Sequence, residues 1–272
     1  MDVRLDMELD QFRTQISEAL ADGGTQSLIR LTDEELAVLD PEETLIPKPH
    51  LAAMDAQQRE WAMATALRSL VARETIEIHN IEELAATLHG APEAAVDMRI
   101  RVDVDLALTL RRTADRALAV KQHSAAGTAY AHVHIHAPNL LLIERITAGG
   151  MHLFTLADNV PDAVNLIQPL LDPFGVADRN GPIITLDPTA LDREHVGPLA
   201  TVIDNAQIVC ELVLLSDPPG PMMTTYATDR AVWAVTVDRP HAPTGITARS
   251  VSHTGLSASL ADMLKNRKAD HA

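Results

Sequence analysis

Residues 117–156 read ALAVKQHSAAGTAYAHVHIHAPNLLLIERITAGGMHLFTL. Four runs, 117–123, 128–136, 140–146 and 151–156, are rich in Ala, Val, Ile, Leu and Thr, and the pieces between them carry Ser124, Gly127, Pro138, Asn139, Gly149 and Gly150. Apolar and β-branched runs bounded by turn formers predict strands, and loops this short predict antiparallel neighbours, hence a meander. Within YAHVHIH (130–136), Val133 and Ile135 alternate with His132, His134 and His136. Successive strand residues point to opposite faces, so the three imidazoles line one face of the sheet. With one face packed on helices and the other solvated, the histidine row belongs to the wet side.

Helical patterns flank this meander. VDLALTLRRT (104–113) precedes it, and NVPDAVNLIQPLLDP (159–173) follows with Pro161 in the first turn. The plan then recurs. A helical VGPLATVIDNA (196–206) leads into QIVCELVLLS, MMTTYATD, AVWAVTVD and GITARSV, and a helix, LSASLADMLKNR (256–267), closes the unit. ALAV at 117 corresponds to IVCEL at 208, and LLLIERI at 140 to AVWAVTV at 231, an offset of about 91 residues in both cases. The expected fold class is therefore α+β: two antiparallel sheets related by a pseudo-two-fold, each flanked by helices, with an N-terminal helical segment. One domain covers 1–272, with its N-terminal helical part at 1–100, a first meander-helix half at 101–175 and a second at 185–272. The link is DPFGVADRNGP (172–182).

The N-terminal part is punctuated by caps and breakers. MELDQFRTQISEALA (7–21) has Phe12, Ile16, Ala19 and Leu20 at helical spacing, and Gly23-Gly24 ends it. A short strand, SLIRL, follows, and Thr32 with Glu35 three residues on forms a capping-box pattern ahead of Leu36 and Leu39. A helix over 55–73 is predicted to carry Trp61, Ala64, Leu67, Leu70 and Val71 along its core stripe. TIEIH (75–79) and a helix, IEELAATLHG (81–90), come next.

Composition narrows the function classes. The chain has 272 residues, 46% of them hydrophobic, so it can bury a core of aliphatic side chains. A net charge of −16 and an aromatic content of 3% argue against nucleic-acid binding, which wants cations and stacking rings. The densest basic stretch, Arg99, Arg101, Arg111, Arg112 and Arg116, is laced with Asp97, Asp103, Asp105 and Asp115 and reads as a solvated helix face. Cys210, the single cysteine, sits in the apolar run IVCELVLL and is expected to be a buried thiol. No run approaches the 18 or so apolar residues of a membrane span, so a soluble, cytoplasmic protein without membrane insertion is expected, as monomer or homodimer.

No pattern marks a catalytic residue or a cofactor. Neither a G-x-S-x-G elbow nor a Gly-rich phosphate loop occurs, and Asp33, Glu34 and Glu35 are read as surface carboxylates of a helix. The row of His132, His134 and His136, completed by His152 or Glu144, is the one candidate metal centre, and it defines the alternative of a metal-dependent enzyme. Solvated polar positions on a half-buried strand account for the same residues, and the expectation is no metal. A second alternative, a winged-helix regulator built on residues 55–90, meets Glu82 and Glu83 where a recognition helix carries Arg, Lys or Asn.

Taken in order, LTDEELAVL (31–39), the proline-bearing LIPKP (45–49), a helix ending LRSLVAR (67–73), a helix through IEELAATL (81–88) and the repeated meander and helix resemble the EspG family of actinobacterial type VII (ESX) secretion systems. The resemblance spans most of 30–266 and implies a cytosolic, non-enzymatic chaperone. Such a protein binds a helical secreted substrate, a PE-PPE heterodimer in the known systems, and covers its apolar end until delivery. The expected partner-binding residues are Met222 and Met223, in DPPGPMM (217–223), with Leu256, Leu260 and Leu264 on the final helix.

Overall fold

A computed structural model of the chain describes residues 14–41, 46–80, 82, 97–187, 197–217, 220–237 and 245–265. Its first part runs β1 (Thr25–Thr32), α1 (Asp33–Leu39), α2 (Pro49–Ala52), α3 (Ala56–Ala72), β2 (Ile76–Ile78), β3 (Met98–Ile100) and α4 (Val102–Thr113). The first meander is β4 (Arg116–Ser124), β5 (Gly127–Ala137), β6 (Leu140–Ile146) and β7 (Met151–Ala157), followed by α5 (Val160–Leu171). After β8 (Ile184–Leu186) and α6 (Pro198–Asp204) come β9 (Ile208–Leu215), β10 (Met222–Ala227), β11 (Val232–Val237), β12 (Ile246–Val251) and α7 (His253–Lys265). The fold class is α+β. Of the helix expected over 81–90 only residue 82 is described, as helix, and of the one over 7–21 residues 14–21 are described, with 14–19 helical.

The helix starts follow from local chemistry. Thr32 accepts from the Glu35 N–H while Glu35 reaches back to the Thr32 N–H, which is the capping box read in the sequence. Asp55 and Gln58 form a second such box at α3, and Asn159 caps α5. Each cap satisfies N–H groups that the first helical turn leaves without a partner.

The two expected sheets are one. All strands but β2 and β3, which pair with each other, join a single antiparallel sheet in the order β1-β7-β6-β5-β4-β9-β10-β11-β12-β8. The seam is β4 against β9, from Ala117 opposite Leu215 to His123 opposite Val209. Both are first strands of their meanders. Leu118 and Val120 on one, and Cys210, Leu212 and Leu214 on the other, bury the same face, so separate sheets would leave two apolar edges with unpaired backbone groups. The N-terminal part also supplies a strand, because β1 pairs with β7.

Helices α5 and α7 pack together on one face of the sheet, over Leu118, Val133, Ile143, Leu212 and Met223. On the opposite face of the first half, α1 and α4 enclose Leu31, Leu36, Leu106, Leu142 and Phe154. Leu199 of α6 covers Leu186, Ile246 and Ala248 at the far end of the second half. Among the described residues no helix is long and apolar enough to cross a membrane.

Two expectations about surfaces are corrected here. Met223, Leu256, Leu260 and Leu264 are at most 2% exposed and build the core between α5, α7 and the sheet, whereas Met222 lies on the other face of β10 and is half-buried. The reason is periodic: positions four apart on α7 share one face, and that face meets α5. Of the stripe expected to point inward from α3, Leu70 does, while Trp61, Ala64, Leu67 and Val71 face outward. Ala66 and Leu70 are buried, whereas Trp61 is 64% exposed, Leu67 37% and Val71 38%.

Because Leu260 is wholly buried, Leu260→Ala is expected to lower stability by about 2–5 kcal/mol, through lost transfer energy and a residual cavity. Urea denaturation of the two proteins measures this.

Candidate functional site

The imidazoles of β5 share a face, as the alternation predicts, but that face is dry. His132 and His134 are 5% and 3% exposed, because the N-terminal elements fold over the first half and bring charged side chains to it. The surface readings of Asp33, Glu35 and Arg111 fail for the same reason: all three are buried. Arg112 keeps the half-exposed position expected of the pair.

A chain of ion pairs runs through this layer. Asp33, in the first turn of α1, accepts from His152 Nε2 of β7 at 2.7 Å through Oδ1, and its Oδ2 accepts from the N–H groups of His50 and Leu51 at the start of α2. His152 Nδ1 lies 2.7 Å from Glu144 Oε1 on β6. Glu144 Oε2 takes His134 Nε2 at 3.2 Å and Arg111 Nε at 3.0 Å. Arg111 continues to Asp40 at the end of α1, Nη1 to Oδ2 at 2.7 Å, and Arg112 reaches the other Asp40 oxygen at 2.8 and 3.1 Å. Glu35 works separately. It takes Ser69 and Arg73 of α3 at 2.9 and 2.8 Å, tying α3 to α1.

The electrostatics follow from who can donate. His152 stands between two carboxylates, which only accept, so both ring nitrogens must carry protons. Burial opposes that charge, but the bonds to Asp33 and Glu144 outweigh it and raise the His152 pKa. Burial alone would push the Glu144 carboxyl up, yet the bonds from His134 and His152 and the Arg111 charge hold it well below the usual range. Three carboxylates, Asp33, Asp40 and Glu144, thus share Arg111, Arg112, His134 and His152 as partners. His132 sits beside the cluster without a share: its Nδ1 has no partner among the described residues, and burial pushes its pKa down to about 4.

Backbone geometry makes room for the joint. Gly150, in the β6–β7 turn, has φ +72° and accepts from the Asp33 N–H at 2.9 Å. A Cβ there would lie 2.9 Å from the Asp33 carboxyl carbon and 2.7 Å from His50 Cβ, so glycine is required both by conformation and by space.

In the histidine row, read in the sequence only as an alternative metal centre, two of the three rings are engaged in other bonds. His134 is bonded to Glu144, and His136 falls in a β-bulge between Ile135 and Ala137 and turns to the Leu110 carbonyl at 2.8 Å. Glu144 and His152 do come to the row, as ion-pair partners. Among the described residues no group of three His, Cys, Asp or Glu side chains is arranged to hold a metal ion. Cys210 is fully buried, its thiol pushed up to about 12 by burial, which leaves it unreactive as a nucleophile. The signal for the cluster was present in LLLIERI and MHLFTL, where Glu144 and His152 occupy positions that alternation assigns to a core.

The outer surface near α3 has the opposite character. Trp61, Leu67 and Val71 lie along one side of α3, and Met98 of β3 is 39% exposed. Val71 also lines a cleft of about 560 Å³ with Ile76, Ile78, Ile100 and Val102.

Removing one member of the buried cluster leaves buried charges with fewer partners. Arg111→Met removes one partner each from Asp40 and Glu144, leaving Asp40 to Arg112 and Glu144 to His134 and His152, and is expected to cost about 3 kcal/mol in urea denaturation. His132 gives a separable pH signature. Its folded pKa, about 4, lies below the ordinary 6.5, so the unfolded chain binds more protons between those values and stability falls as pH drops through that window. His152 does not interfere there, since its raised pKa gives a contribution that is complete below 6.5 and lost only as pH rises through the folded value. His132→Leu is therefore expected to remove about 3 kcal/mol of the loss seen between pH 6.5 and 4, read from denaturation midpoints across that range.

No protein-family model matches the chain, and a search of curated proteins gives no match either.

Proposed function

We propose that the chain is a non-enzymatic binding protein that holds another polypeptide in the cytosol, a secretion chaperone of the EspG kind whose cargo is a helical, PE-PPE-like secreted protein. We further infer that its two halves are related by a pseudo-two-fold axis through the β4–β9 seam. The strand order supports the second inference. Reading outward from the seam, each side gives the first, second, third and fourth strands of a meander and then the strand that precedes that meander in the chain. Strand starts keep nearly one spacing, 92 residues from 116 to 208 and from 140 to 232 and 95 from 127 to 222 and from 151 to 246, and the helices after the two meanders pack on each other.

The observation that carries the binding function is the exposure of Trp61, Leu67 and Val71 on α3, beside a cleft walled by Ile76, Ile78, Ile100 and Val102 and rimmed by Glu74, Glu77, Arg99 and Arg101. Trp61 and Leu67 hold apolar surface in water on a face that contributes little to the core, which is how a docking surface for another protein differs from scattered exposed residues. A helix with an apolar stripe fits along such a ridge and cleft, through anchors three and four residues apart. The buried Asp33, Asp40, Arg111, His134, Glu144 and His152, by contrast, are bonded to one another in the dry layer.

The test is co-purification of the full chain with a PE-PPE heterodimer encoded beside its gene. The wild type is expected to retain the heterodimer, and Trp61→Asp and Leu67→Asp to lose it at an unchanged melting temperature, because both side chains are exposed. Failure of the wild type refutes the chaperone reading, and retention by both variants refutes the surface.

A further inference from the structure

The cleft at the end of α3 pairs apolar walls with a carboxylate that the fold does not use. Val71 is 38% exposed and Ile78, Ile100 and Val102 are half-buried, so these walls keep apolar surface in contact with water. Glu74 stands at the rim with φ +53°, the one non-glycine residue in the left-handed region among the described residues. Helices commonly end through glycine at this position, because a side chain there crowds the backbone. Charge is unfavourable as well: Glu74 adds an anion at the C-terminal end of α3, where the last carbonyls already carry partial negative charge. Its carboxylate has no hydrogen bond or ion pair among the described residues, and the adjacent Arg73 donates instead to Glu35 at 2.8 Å. Of the bases in the wall, Arg101 is held by Asp103 through bonds of 2.7 and 3.0 Å, and Arg99 stands opposite Glu77 in the β2–β3 register.

From this juxtaposition we infer that the cleft receives a basic side chain, lysine or arginine, presented on an apolar helix of the partner, its aliphatic stem along Val71 and Val102 and its charge at Glu74. The inference rests on the binding function proposed above and adds to it the chemistry of the partner. Long basic side chains lay their methylenes on apolar surface while the charged head reaches a polar group, which is the combination this cleft offers. An acidic anchor would meet Glu74 and the negative end of α3, and a wholly apolar one would leave both unanswered. α3 rises about 15 Å between Trp61 and Val71, so one helix can hold its apolar stripe against Trp61 and place the basic residue in the cleft.

Fluorescence anisotropy of the full chain with labelled helical peptides of about 20 residues, long enough at about 30 Å to span ridge and cleft, tests this. The peptides share one leucine stripe and carry Lys, Gln or Glu at a single position beside it. The Lys peptide is expected to bind about fivefold more tightly than the Gln peptide, the size of an ion pair at a partly exposed interface, and the Glu peptide more weakly than either. Glu74→Gly is expected to bring the Lys peptide to the affinity of the Gln peptide, to leave the Gln peptide unchanged and to raise the urea midpoint, since glycine relieves the left-handed strain. A gain of stability with a loss of Lys preference is what a purely structural Glu74 would not give. Equal affinity of the wild type for all the peptides, absence of saturable binding by the Lys peptide, or a Lys preference that survives Glu74→Gly overturns the inference. Each of these leaves the binding function standing as long as the wild-type chain retains the heterodimer and Trp61→Asp loses it.

Discussion

Three carboxylates withdrawn from water set the terms for the first half of the molecule. An isolated buried carboxylate is costly, and Asp33, Asp40 and Glu144 become tolerable only because Arg111, Arg112 and His152 arrive from α4 and β7 with good geometry. No single element supplies both signs of charge to the cluster. The cluster is therefore satisfied only when α1, α4 and the β5–β7 strands are in one register, and a slip of one strand residue would send His152 or Glu144 to the opposite face. The hydrophobic contacts of Leu36, Leu106, Leu142 and Phe154 bring these elements together without fixing that register. The ion pairs specify it.

The same constraint accounts for small features around it. Gly150 is held at positive φ because the turn must pass close to the Asp33 carboxyl. The Asp33 side chain starts α2 by accepting from His50 and Leu51, so the proline-rich stretch after α1 is drawn back onto the cluster. Lys48 is drawn in too, donating to the Asp40 carbonyl at 3.1 Å, and its pKa is lowered by burial and by the neighbouring Arg111 charge. His136, displaced from the row by the bulge, secures the last turns of α4 through the Leu110 carbonyl.

What could be read from the sequence was local. Strand alternation in YAHVHIH, the Thr32–Glu35 box, Pro161 at the start of α5 and the recurrence of the meander are set by neighbouring residues, and the corresponding elements form. What could not be read depends on which faces meet. A histidine row alternating with Val and Ile has the same pattern whether water or another layer lies above it, and only the arrival of Arg111 and Asp33 from residues far apart in the chain decides. The α7 leucines illustrate the same limit. Their spacing declares an apolar face, but a face against α5 and one against a separate protein look alike in sequence. On α3 the ambiguity ran the other way, since the Trp61 stripe has core periodicity and lies outside.

The two halves also differ in a way that bears on where binding can occur. In the first half the sheet is covered on both faces, and its polar face is consumed by the charge cluster. In the second half the face of β9 and β10 that continues the histidine row carries Val209, Glu211, Val213, Met222, Thr224 and Tyr226, which are half-buried or exposed. If the halves arose from one repeated unit, as the strand order supports, the N-terminal elements occupy on one side a position that remains partly open on the other. An added layer thus seals the reactive-looking residues of the first half and presents its own apolar ridge, Trp61 and Leu67, at the new surface. The layer that buries the charged side chains of the first half is also the layer that leaves Trp61 and Leu67 in water.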